Sequence, residues 1–508
     1  MRLQNRFLYE YPEPMKKLIY LAVILTSGVL SSCKKDHKNA STALNLVQDS
    51  IYYYEKEDYL WFDVIPDYNT FNPRSYGGSS DLGALTNELT AISQLKINPA
   101  TGKPYEYSQQ SPGTAKYSFV DNGTETAALN GTDYDFGFEP IYIATNDLRV
   151  KYVNPGSPAD LAGIKRGYQI TSINGNTDLS YDGTTANFVI NSVYYSTNIK
   201  MVLTKYDGTT LMVSLNTTAY TVNPVLNYKV FDLGNGHKVG YMAFGSFTAL
   251  ANAQPQLNTV FNYFIGNGVN DLVVDIRYNG GGEGATAEYL DDLIVPASKS
   301  STLMYTTYFN SNLQNNDYPL LAKKYSITPG QFKPANNQTN FAKALSLSLN
   351  RVFFIVTDET ASSSELTINN LRPEMDVELI GDTTYGKPVG EIPIPISNYI
   401  LYSPQLYVEN SANQGDYYTG MAPGTAAYPG LLAADDVTKD FGDSTEMLLA
   451  HALNFVQNGT YSITSPKIQS LASKQSFSIY QAKAVNRNLE VHKLRGMVLA
   501  DRIRNLRK

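Results

Sequence analysis

The hydrophobic residues of this chain fall into short runs that are separated by glycine and polar residues. Residues 271–277, Asp-Leu-Val-Val-Asp-Ile-Arg, and residues 351–357, Arg-Val-Phe-Phe-Ile-Val-Thr, are apolar and rich in β-branched or aromatic side chains. Such runs predict strands buried inside a parallel sheet. Residues 366–371 predict a helix that ends before Pro373, and residues 377–380 predict the next strand. If the two strands around this helix are parallel, their carboxyl ends lie at one edge of the sheet.

The regions on either side of this unit have weaker patterns. Residues 52–62 and 81–89 carry apolar side chains at mixed helical spacing, which predicts a small helical region. The polar residues 34–50 before them predict a solvated tether. Residues 443–456 predict a helix with one apolar stripe. Residues 461–508 form a basic, helix-compatible tail, and the pattern leaves open whether it docks on the core, touches a membrane surface or mediates dimerisation.

Composition excludes some classes of protein. The chain has 508 residues, a length that as a prior indicates about three domains. Its net charge of −7 gives no sign of the basic surface by which proteins bind nucleic acid. No histidine stands in a recognisable metal-ligand spacing or catalytic triad, so we expect no metal site and no cofactor. This scarcity also argues against a Ser-His-Asp hydrolase. The four histidines are His37, His237, His451 and His492.

The first residues have the order of a targeting segment. Met15-Lys-Lys17 is basic, and residues 18–30 are apolar over a length typical of signal peptides and too short for a typical membrane span. Leu30-Ser-Ser-Cys33 then resembles the lipobox of bacterial lipoproteins. Cys33 is the only cysteine in the chain, so no disulfide can form within it. A buried free cysteine is the alternative, and the polar tract that follows Cys33 disfavours it.

The best candidate for catalysis is a serine at the turn between a strand and a helix. Ser362 follows the predicted strand 351–357, and Lys387 follows Gly386 after the next predicted strand. A serine hydroxyl needs a base to become a nucleophile, and a buried lysine can be that base. The helix N-terminus offers N–H groups for an oxyanion. The competing explanation is that Ser362 and Glu365 are only a helix capping box.

These residues resemble the catalytic signature of peptidase family S41, the carboxyl-terminal processing peptidases. The run Thr360-Ala-Ser-Ser-Ser-Glu365 resembles the family's Ser-Ala-Ser-Ala-Ser-Glu, and Lys387 stands 25 positions after Ser362 in a Gly-Lys pair. The resemblance implies that Ser362 is the nucleophile and Lys387 the base. Many members carry Gln four residues after that lysine, where this chain has Glu391. A carboxylate there either orients the ammonium, and then favours its charged form, or is turned away from it.

A glycine-rich loop follows the first buried strand. Residues 275–282, Asp-Ile-Arg-Tyr-Asn-Gly-Gly-Gly, resemble the family's Asp-Leu-Arg-x-Asn-Pro-Gly-Gly, with Gly280 in place of the proline. Glycine lets the backbone approach a substrate closely and presents its N–H groups. The resemblance implies that Gly281 or Gly282 donates to the oxyanion together with the N–H of Ser363. A flexible surface loop is the alternative.

A second module resembles bacterial PDZ domains. Residues 153–167, Val-Asn-Pro-Gly-Ser-Pro-Ala-Asp-Leu-Ala-Gly-Ile-Lys-Arg-Gly, match their Gly-Ser-Pro-Ala and Ala-Gly-Ile pattern, with Tyr168 in place of the usual Asp. Phe136, Gly137 and Phe138 stand where such domains have their carboxylate-binding loop. Backbone N–H groups there hold a peptide C-terminus while the peptide adds a strand. A structural module or a lid that binds no peptide is the alternative.

Together, the pattern and the two resemblances predict an α/β multidomain protein. Its parts are a helical N-terminal region, a β-rich PDZ-like module and an α/β core of the S41, crotonase-like ββα type. The predicted boundaries are residues 1–33 for the lipoprotein signal segment, 34–116 for the tether and helical region, 117–220 for the PDZ-like domain, 221–460 for the protease core and 461–508 for the basic tail.

The resemblance implies a serine endopeptidase that uses a Ser-Lys dyad on unfolded or C-terminally recognised proteins of the cell envelope. The expected partners are polypeptide substrates and, through the lipid on Cys33, a bacterial membrane at its periplasmic side or outer surface. Oligomeric state is left open. The alternative is a weak or inactive S41-like scaffold that binds peptides or glycans, which Glu391, Pro388 and Gly280 favour because they depart from the family pattern.

We predict that Cys33 carries a lipid and is the first residue of the mature chain, because it follows the basic and apolar order described above. Mass spectrometry of the protein extracted from membranes should find a diacylated Cys33 peptide. A Cys33→Ser variant, which lacks the thiol, should no longer fractionate with membranes. An unmodified Cys33, or a mature chain that starts elsewhere, would contradict the prediction.

Overall fold

The protein is described by a computed structural model that covers residues 42–109, 111–463, 489 and 496–499. The predicted signal segment with Cys33 and most of the predicted tail lie outside these residues. The chain divides into a unit of residues 1–46, described only from residue 42, and a unit of residues 47–508. Within the described ranges, no helix combines the length and apolarity that a membrane crossing needs.

The N-terminal region is helical, as the sequence predicts. Its longer helices are α1 (Ala43–Asp58) and α3 (Asp81–Ser93), with the single turn α2 (Tyr68–Phe71) between them. The expectation of a tether up to residue 50 is wrong, because α1 begins at Ala43. Val47 and Ile51 are both buried, and their i, i+4 spacing gives this polar segment one apolar face. The elements that follow are β1 (Ile97–Asn98), β2 (Lys103–Pro104), β3 (Phe119–Asp121), α4 (Thr124–Leu129) and β4 (Thr132–Asp135).

A five-stranded antiparallel sheet forms the PDZ-like part, in the order β5-β6-β7-β8-β9. Two helices accompany it, α5 (Pro158–Leu161) and α6 (Gly183–Tyr194). Ser157 caps α5 by accepting a hydrogen bond from the Asp160 N–H at 3.3 Å, and Pro158 fits the first helical position because its missing N–H is not needed there. The strands are β5 (Phe138–Ala144), β6 (Asp147–Val153), β7 (Gln169–Ile173), β8 (Asn198–Thr204) and β9 (Thr210–Asn216), and β10 (Thr218–Thr221) pairs with β4.

The remaining described chain forms the α/β core. Its strands are β11 (Val225–Gly234), β12 (His237–Phe244), β13 (Asp271–Asp275), β14 (Gly282–Glu283), β15 (Leu303–Phe309), β16 (Gln338–Asn340), β17 (Arg351–Val356), β18 (Asp376–Gly381), β19 (Val389–Glu391), β20 (Ile394–Ile396), β21 (Tyr399–Tyr402), β22 (Pro404–Asn410), β23 (Gly430–Leu432) and β24 (Met497–Val498). Its helices are α7 (Leu250–Asn267), α8 (Gly284–Ile294), α9 (Ser311–Gln314), α10 (Pro319–Lys324), α11 (Ser363–Leu371) and α12 (Met447–Asn458).

The main core sheet has the order β11-β12-β13-β17-β18-β23, and all its pairs except β11 with β12 are parallel. The two apolar runs of the sequence are the adjacent strands β13 and β17, and all five residues of β13 are buried. The prediction of parallel strands inside a sheet is therefore confirmed. Because α11 connects the parallel strands β17 and β18, the carboxyl ends of these strands meet at one edge.

Helix α12 covers one face of this sheet. Leu448, Leu449 and Ala452 of the helix belong to the same buried cluster as Val273 of β13 and Phe353 of β17. The predicted apolar stripe of this helix therefore faces the sheet, although the helix begins at Met447, four residues later than expected. Burial of such a stripe is what stabilises an amphipathic helix of this length.

A second six-stranded sheet has the order β14-β24-β19-β22-β15-β16. Strand β14 directly follows the glycine loop, and β19 follows Lys387 within two residues. Strand β24 lies between them and is parallel to both. Strand β3 pairs with β21 in a separate small sheet, so residues 119–121 join the core, while the predicted domain boundary at residue 117 stays a prediction.

Candidate active site

Ser362 lies at the carboxyl end of the main sheet, immediately before α11. Its backbone has φ +61° and ψ −111°, a positive-φ conformation that is uncommon for residues other than glycine. Such strain persists only where the surrounding structure imposes it, and it concentrates at functional sites. The strand β17, the short turn after it and the helix α11 together fix Ser362 in this position.

The hydroxyl of Ser362 is fully buried and has no hydrogen-bond partner among the described residues. Its backbone N–H donates to Glu365 Oε2 at 2.9 Å, as a capping box requires. The capping contact is therefore made by the backbone N–H of Ser362 and the carboxylate of Glu365. The hydroxyl of Ser362 makes no hydrogen bond in this cap. A buried hydroxyl without a partner costs free energy, which indicates a role other than stabilising the helix.

The carboxylate of Glu365 joins the serine turn to the lysine loop. Its Oε2 accepts from the N–H of Ser362 and, at 2.8 Å, from the N–H of Lys387. Its Oε1 accepts from the Gly386 N–H at 2.7 Å and from the Thr384 hydroxyl. Burial raises the pKa of Glu365, while these donors oppose the rise. The backbones of Ser362 and Lys387 are thus held against the same carboxylate oxygen.

Lys387 is fully buried and forms an ion pair with Glu391, which is also fully buried. The ring of Tyr117 lies 5.6 Å from the lysine Nζ. Burial raises the pKa of Glu391 to about 7, against the opposing effect of the Lys387 ammonium. Of the two arrangements that the sequence left open for Glu391, the structure has the one in which its carboxylate contacts the lysine. Among the residues that the structure describes, no hydrogen bond joins Lys387 Nζ to Ser362 Oγ.

The glycine loop reaches the same edge of the sheet. Gly281 and Gly282 have φ values of +104° and +134°, which other residues adopt only with strain. The Gly281 N–H donates to Asn279 Oδ1 at 2.9 Å, whereas the Gly282 N–H donates to the Gly496 carbonyl oxygen at 2.6 Å. Of the two glycines predicted as oxyanion donors, only Gly282 therefore directs its N–H to an acceptor outside the loop.

The two serines after Ser362 attach this loop to α11. Ser363 Oγ donates to the Gly282 carbonyl at 2.8 Å, and Ser364 Oγ donates to the Asn279 carbonyl at 2.9 Å. The sequence analysis missed Ser364 and Asn279 as positioning residues, as it missed the contacts of Glu365 to the lysine loop. The consecutive hydroxyls in the serine run are the one local signal for this attachment.

The predicted peptide-binding residues belong to the PDZ-like part of the chain. Phe136 and Phe138 are buried in the core of that part. The Gly137 N–H donates to Asp135 Oδ1 at 2.6 Å. The N–H group that was predicted to bind the carboxylate of a peptide therefore binds a carboxylate of the protein itself in this structure. Strand β5, which begins at Phe138, is the edge strand of its sheet. Binding of a peptide C-terminus by these residues stays a prediction.

A cavity of about 1480 Å³ extends from the PDZ-like part to the glycine loop. Phe138 and Ile190 line one side of it, and Gly280 and Gly281 line another. Leu489 also lines it and packs into the buried cluster of the PDZ-like part. The cavity is large enough for an extended peptide that reaches the glycine loop.

Comparisons with known proteins agree with this fold. Residues 238–418 match the model of peptidase family S41, and residues 149–187 match a PDZ domain model. A carboxyl-terminal-processing protease of Picosynechococcus sp. is 27% identical over 245 residues, covering 46% of this chain and 49% of the relative. The chain thus spans about half the length of that curated relative.

The crystal structure of a putative S41 protease from Bacteroides fragilis is similar in fold, with a TM-score of 0.57 and 23% identity. The match covers 81% of this chain and 97% of the Bacteroides fragilis chain. In sequence, this chain is thus similar to a carboxyl-terminal-processing protease, and its fold is similar to that of the Bacteroides fragilis structure. Its residues 238–418 are similar to peptidase family S41, and its residues 149–187 are similar to a PDZ domain.

We predict that Glu365→Gln destabilises the fold and lowers the reactivity of Ser362 together. A glutamine has one acceptor oxygen, so some of the four donors around Glu365 lose their partner, at about 1–3 kcal/mol for each buried donor. Urea denaturation and labelling with a fluorophosphonate probe measure the two effects. Asp63→Asn is the matched control, because Asp63 is 52% exposed in a surface ion pair and should change either property little. An unchanged free energy of unfolding in Glu365→Gln would contradict the assignment.

Proposed function

We propose that the protein is a serine endopeptidase with a Ser-Lys dyad, and that it hydrolyses unfolded or C-terminally recognised polypeptides in the cell envelope. The observation that carries this proposal is the arrangement around Glu365. One carboxylate binds the backbone of Ser362 and the backbone of Lys387, so the candidate nucleophile and the candidate base are fixed on adjoining loops.

Ser362 is the proposed nucleophile. Its hydroxyl is buried without a hydrogen-bond partner among the described residues, and it stands at the N-terminus of the nine-residue helix α11. The free N–H groups and the dipole of a helix N-terminus favour negative charge. An oxyanion formed by attack of Ser362 on a peptide carbonyl would therefore develop in a favourable field.

Lys387 is the proposed general base. A neutral amine takes the proton of Ser362 and returns it to the nitrogen of the leaving group. The Glu391 carboxylate forms an ion pair with this lysine and restrains it. Since the pKa of Glu391 is raised to about 7, this restraint is strongest above neutral pH and weakens as Glu391 takes up a proton.

The N–H groups of Gly282 and Ser363 are the proposed oxyanion donors. A Cβ added to Gly281 would lie 2.9 Å from the Ser363 nitrogen, so the glycine loop passes close to the start of α11. The Ser363 hydroxyl binds the Gly282 carbonyl and fixes that approach. A side chain at Gly281 would close the space in which an oxyanion has to lie.

The proposal extends to substrate capture and location. The open edge of β5 suits a peptide that adds a strand to the PDZ domain, and Phe136, Gly137 and Phe138 are the proposed carboxylate loop. A lipid on Cys33 would hold the protein at a bacterial membrane, on the periplasmic side or at the outer surface. The basis for this location is the lipobox-like order of the sequence.

A second candidate function is a weak or inactive S41-like scaffold that binds peptides. One observation favours it, namely that Lys387 pairs with Glu391 and makes no hydrogen bond to the Ser362 hydroxyl. A fluorophosphonate probe discriminates between the two functions, because it labels only an activated serine. Labelling of the wild-type protein but not of Ser362→Ala supports the peptidase, and no labelling of either supports the scaffold.

We predict that Lys387→Ala abolishes turnover of an unstructured protein substrate while the fold is retained. Removing a general base costs on the order of 10²–10⁴-fold, and more when base and nucleophile act as a unit. Casein cleavage measures activity, and circular dichroism measures the fold. Lys333→Ala is the control, because Lys333 is exposed and lies outside the site. A folded Lys387→Ala protein that cleaves at a near-normal rate would refute the dyad.

We predict that Glu391→Gln moves the rising limb of the pH–activity profile to lower pH. In the wild type, the ion pair with Glu391, whose pKa burial raises to about 7, restrains Lys387. The neutral amide removes this restraint, and removal of an adjacent opposite charge is worth roughly one to three pH units. The profile of kcat/KM on one peptide substrate measures the shift. A limb that stays in place or moves to higher pH would contradict the role of Glu391.

A further inference from the structure

A segment of the chain itself occupies the groove beside Ser362. Strand β24 lies between β14 of the glycine loop and β19 after Lys387, and pairs in parallel with both. The Leu499 N–H donates to the Glu391 carbonyl at 3.0 Å. Met497 is 0%, Val498 1% and Leu499 4% exposed. These three apolar residues are therefore held as an inserted strand.

The carbonyl of Gly496 lies where the proposed oxyanion forms. Its oxygen accepts the hydrogen bond of Gly282 at 2.6 Å. A Cβ added to Gly281 would lie 2.5 Å from this oxygen and 2.9 Å from the Ser363 nitrogen. The Gly496 oxygen and the N–H groups of Gly282 and Ser363 therefore lie around the same small space beside Gly281. A carbonyl placed in this way is polarised toward attack at its carbon.

The other side of the same peptide bond faces β19, which carries Glu391. The N–H of Met497 acts on the Glu391 carboxylate and opposes, as a smaller effect, the rise of its pKa that burial and neighbouring acids cause. The same carboxylate pairs with Lys387. The peptide bond between Gly496 and Met497 therefore lies between the proposed oxyanion donors and strand β19, whose Glu391 pairs with the proposed base.

A second contact holds the chain upstream of this bond. Leu489 is 2% exposed and belongs to the buried cluster of the PDZ domain, together with Phe138 and Val193. It lines the cavity that leads to the glycine loop. One stretch of the chain therefore contacts the PDZ domain at Leu489 and the glycine loop at Gly496.

We propose that residues 496–499 lie in the chain's own active site as a substrate, cleaved in cis between Gly496 and Met497. This inference rests on the proposed function. Ser362 Oγ attacks the Gly496 carbonyl carbon, and its proton passes through Lys387 to the Met497 nitrogen as the C–N bond breaks. Water then hydrolyses the ester between Ser362 and Gly496, which leaves a Gly496 carboxylate and restores the serine.

The occupied groove also defines the class of peptide that the site takes. The leading residue, Gly496, is small, and its carbonyl oxygen would lie only 2.5 Å from a Cβ added to Gly281; the next three residues are apolar. Val498 clusters with Leu129 and Tyr402, and a Cβ on Gly284 would lie 2.3 Å from Leu499 Cδ2. The groove thus fits an extended peptide with a small residue followed by apolar ones.

Intact-mass measurement of the purified full chain over time tests the inference, with wild type, Ser362→Ala and Met497→Pro compared. We expect the wild type to lose the residues from Met497 onward with a rate constant that is independent of protein concentration. Ser362→Ala should stay intact. Met497→Pro should release the segment far more slowly than the wild type, because proline removes the N–H of the bond that is cleaved. Leu489→Asp should slow the release roughly tenfold or more, because the variant loses the burial of one leucine side chain.

An external peptide assay, run in parallel, separates the inference from the proposed function. A wild-type chain that cleaves the external peptide but keeps Met497 overturns self-cleavage and leaves the peptidase standing. A chain that cleaves neither overturns both. Release from Ser362→Ala, at another bond, or with a rate constant that rises with protein concentration, overturns cleavage in cis at Gly496.

Discussion

The buried carboxylate of Glu365 is the interaction on which the site depends. It binds the N–H groups of Ser362, Gly386 and Lys387, and Lys387 is 22 residues away in the chain. Charged groups are buried only when their hydrogen bonds are satisfied, so the serine turn and the lysine loop have to close around this carboxylate together. The strained backbone of Ser362 is held by the same contacts, and removal of Glu365 would release both loops.

The sheet supplies the second constraint. Parallel pairing of β17 with β18, and of β13 with β17, brings the ends of three strands to one edge. The serine turn, the glycine loop and the lysine loop all follow these strands. Ser363 and Ser364 then fix the glycine loop to α11 through their hydroxyls. Rigid strands place the loops, and a few buried polar contacts set the final geometry.

The ion pair of Lys387 with Glu391 sets the electrostatics of the groove. Two fully buried charges of opposite sign stabilise each other, but each loses its hydration. In the proposed mechanism the lysine has to give up its charge, which the carboxylate opposes. The inserted strand β24 is attached to the same element, because the Leu499 N–H donates to the Glu391 carbonyl, so the occupant of the groove lies beside this ion pair.

The sequence by itself determined the strand–helix–strand unit, the amphipathic α12, and Ser362 and Lys387 as candidates, because hydrophobic periodicity and short motifs are local properties. It missed the start of α1, where one apolar face is hidden in a polar segment. Only the tertiary structure decided that Gly281 donates to Asn279 while Gly282 faces the groove, and that Gly496 lies against Gly282. Hydrogen bonds between residues far apart in the chain leave no local pattern, because they exist only once the sheet has brought those residues together.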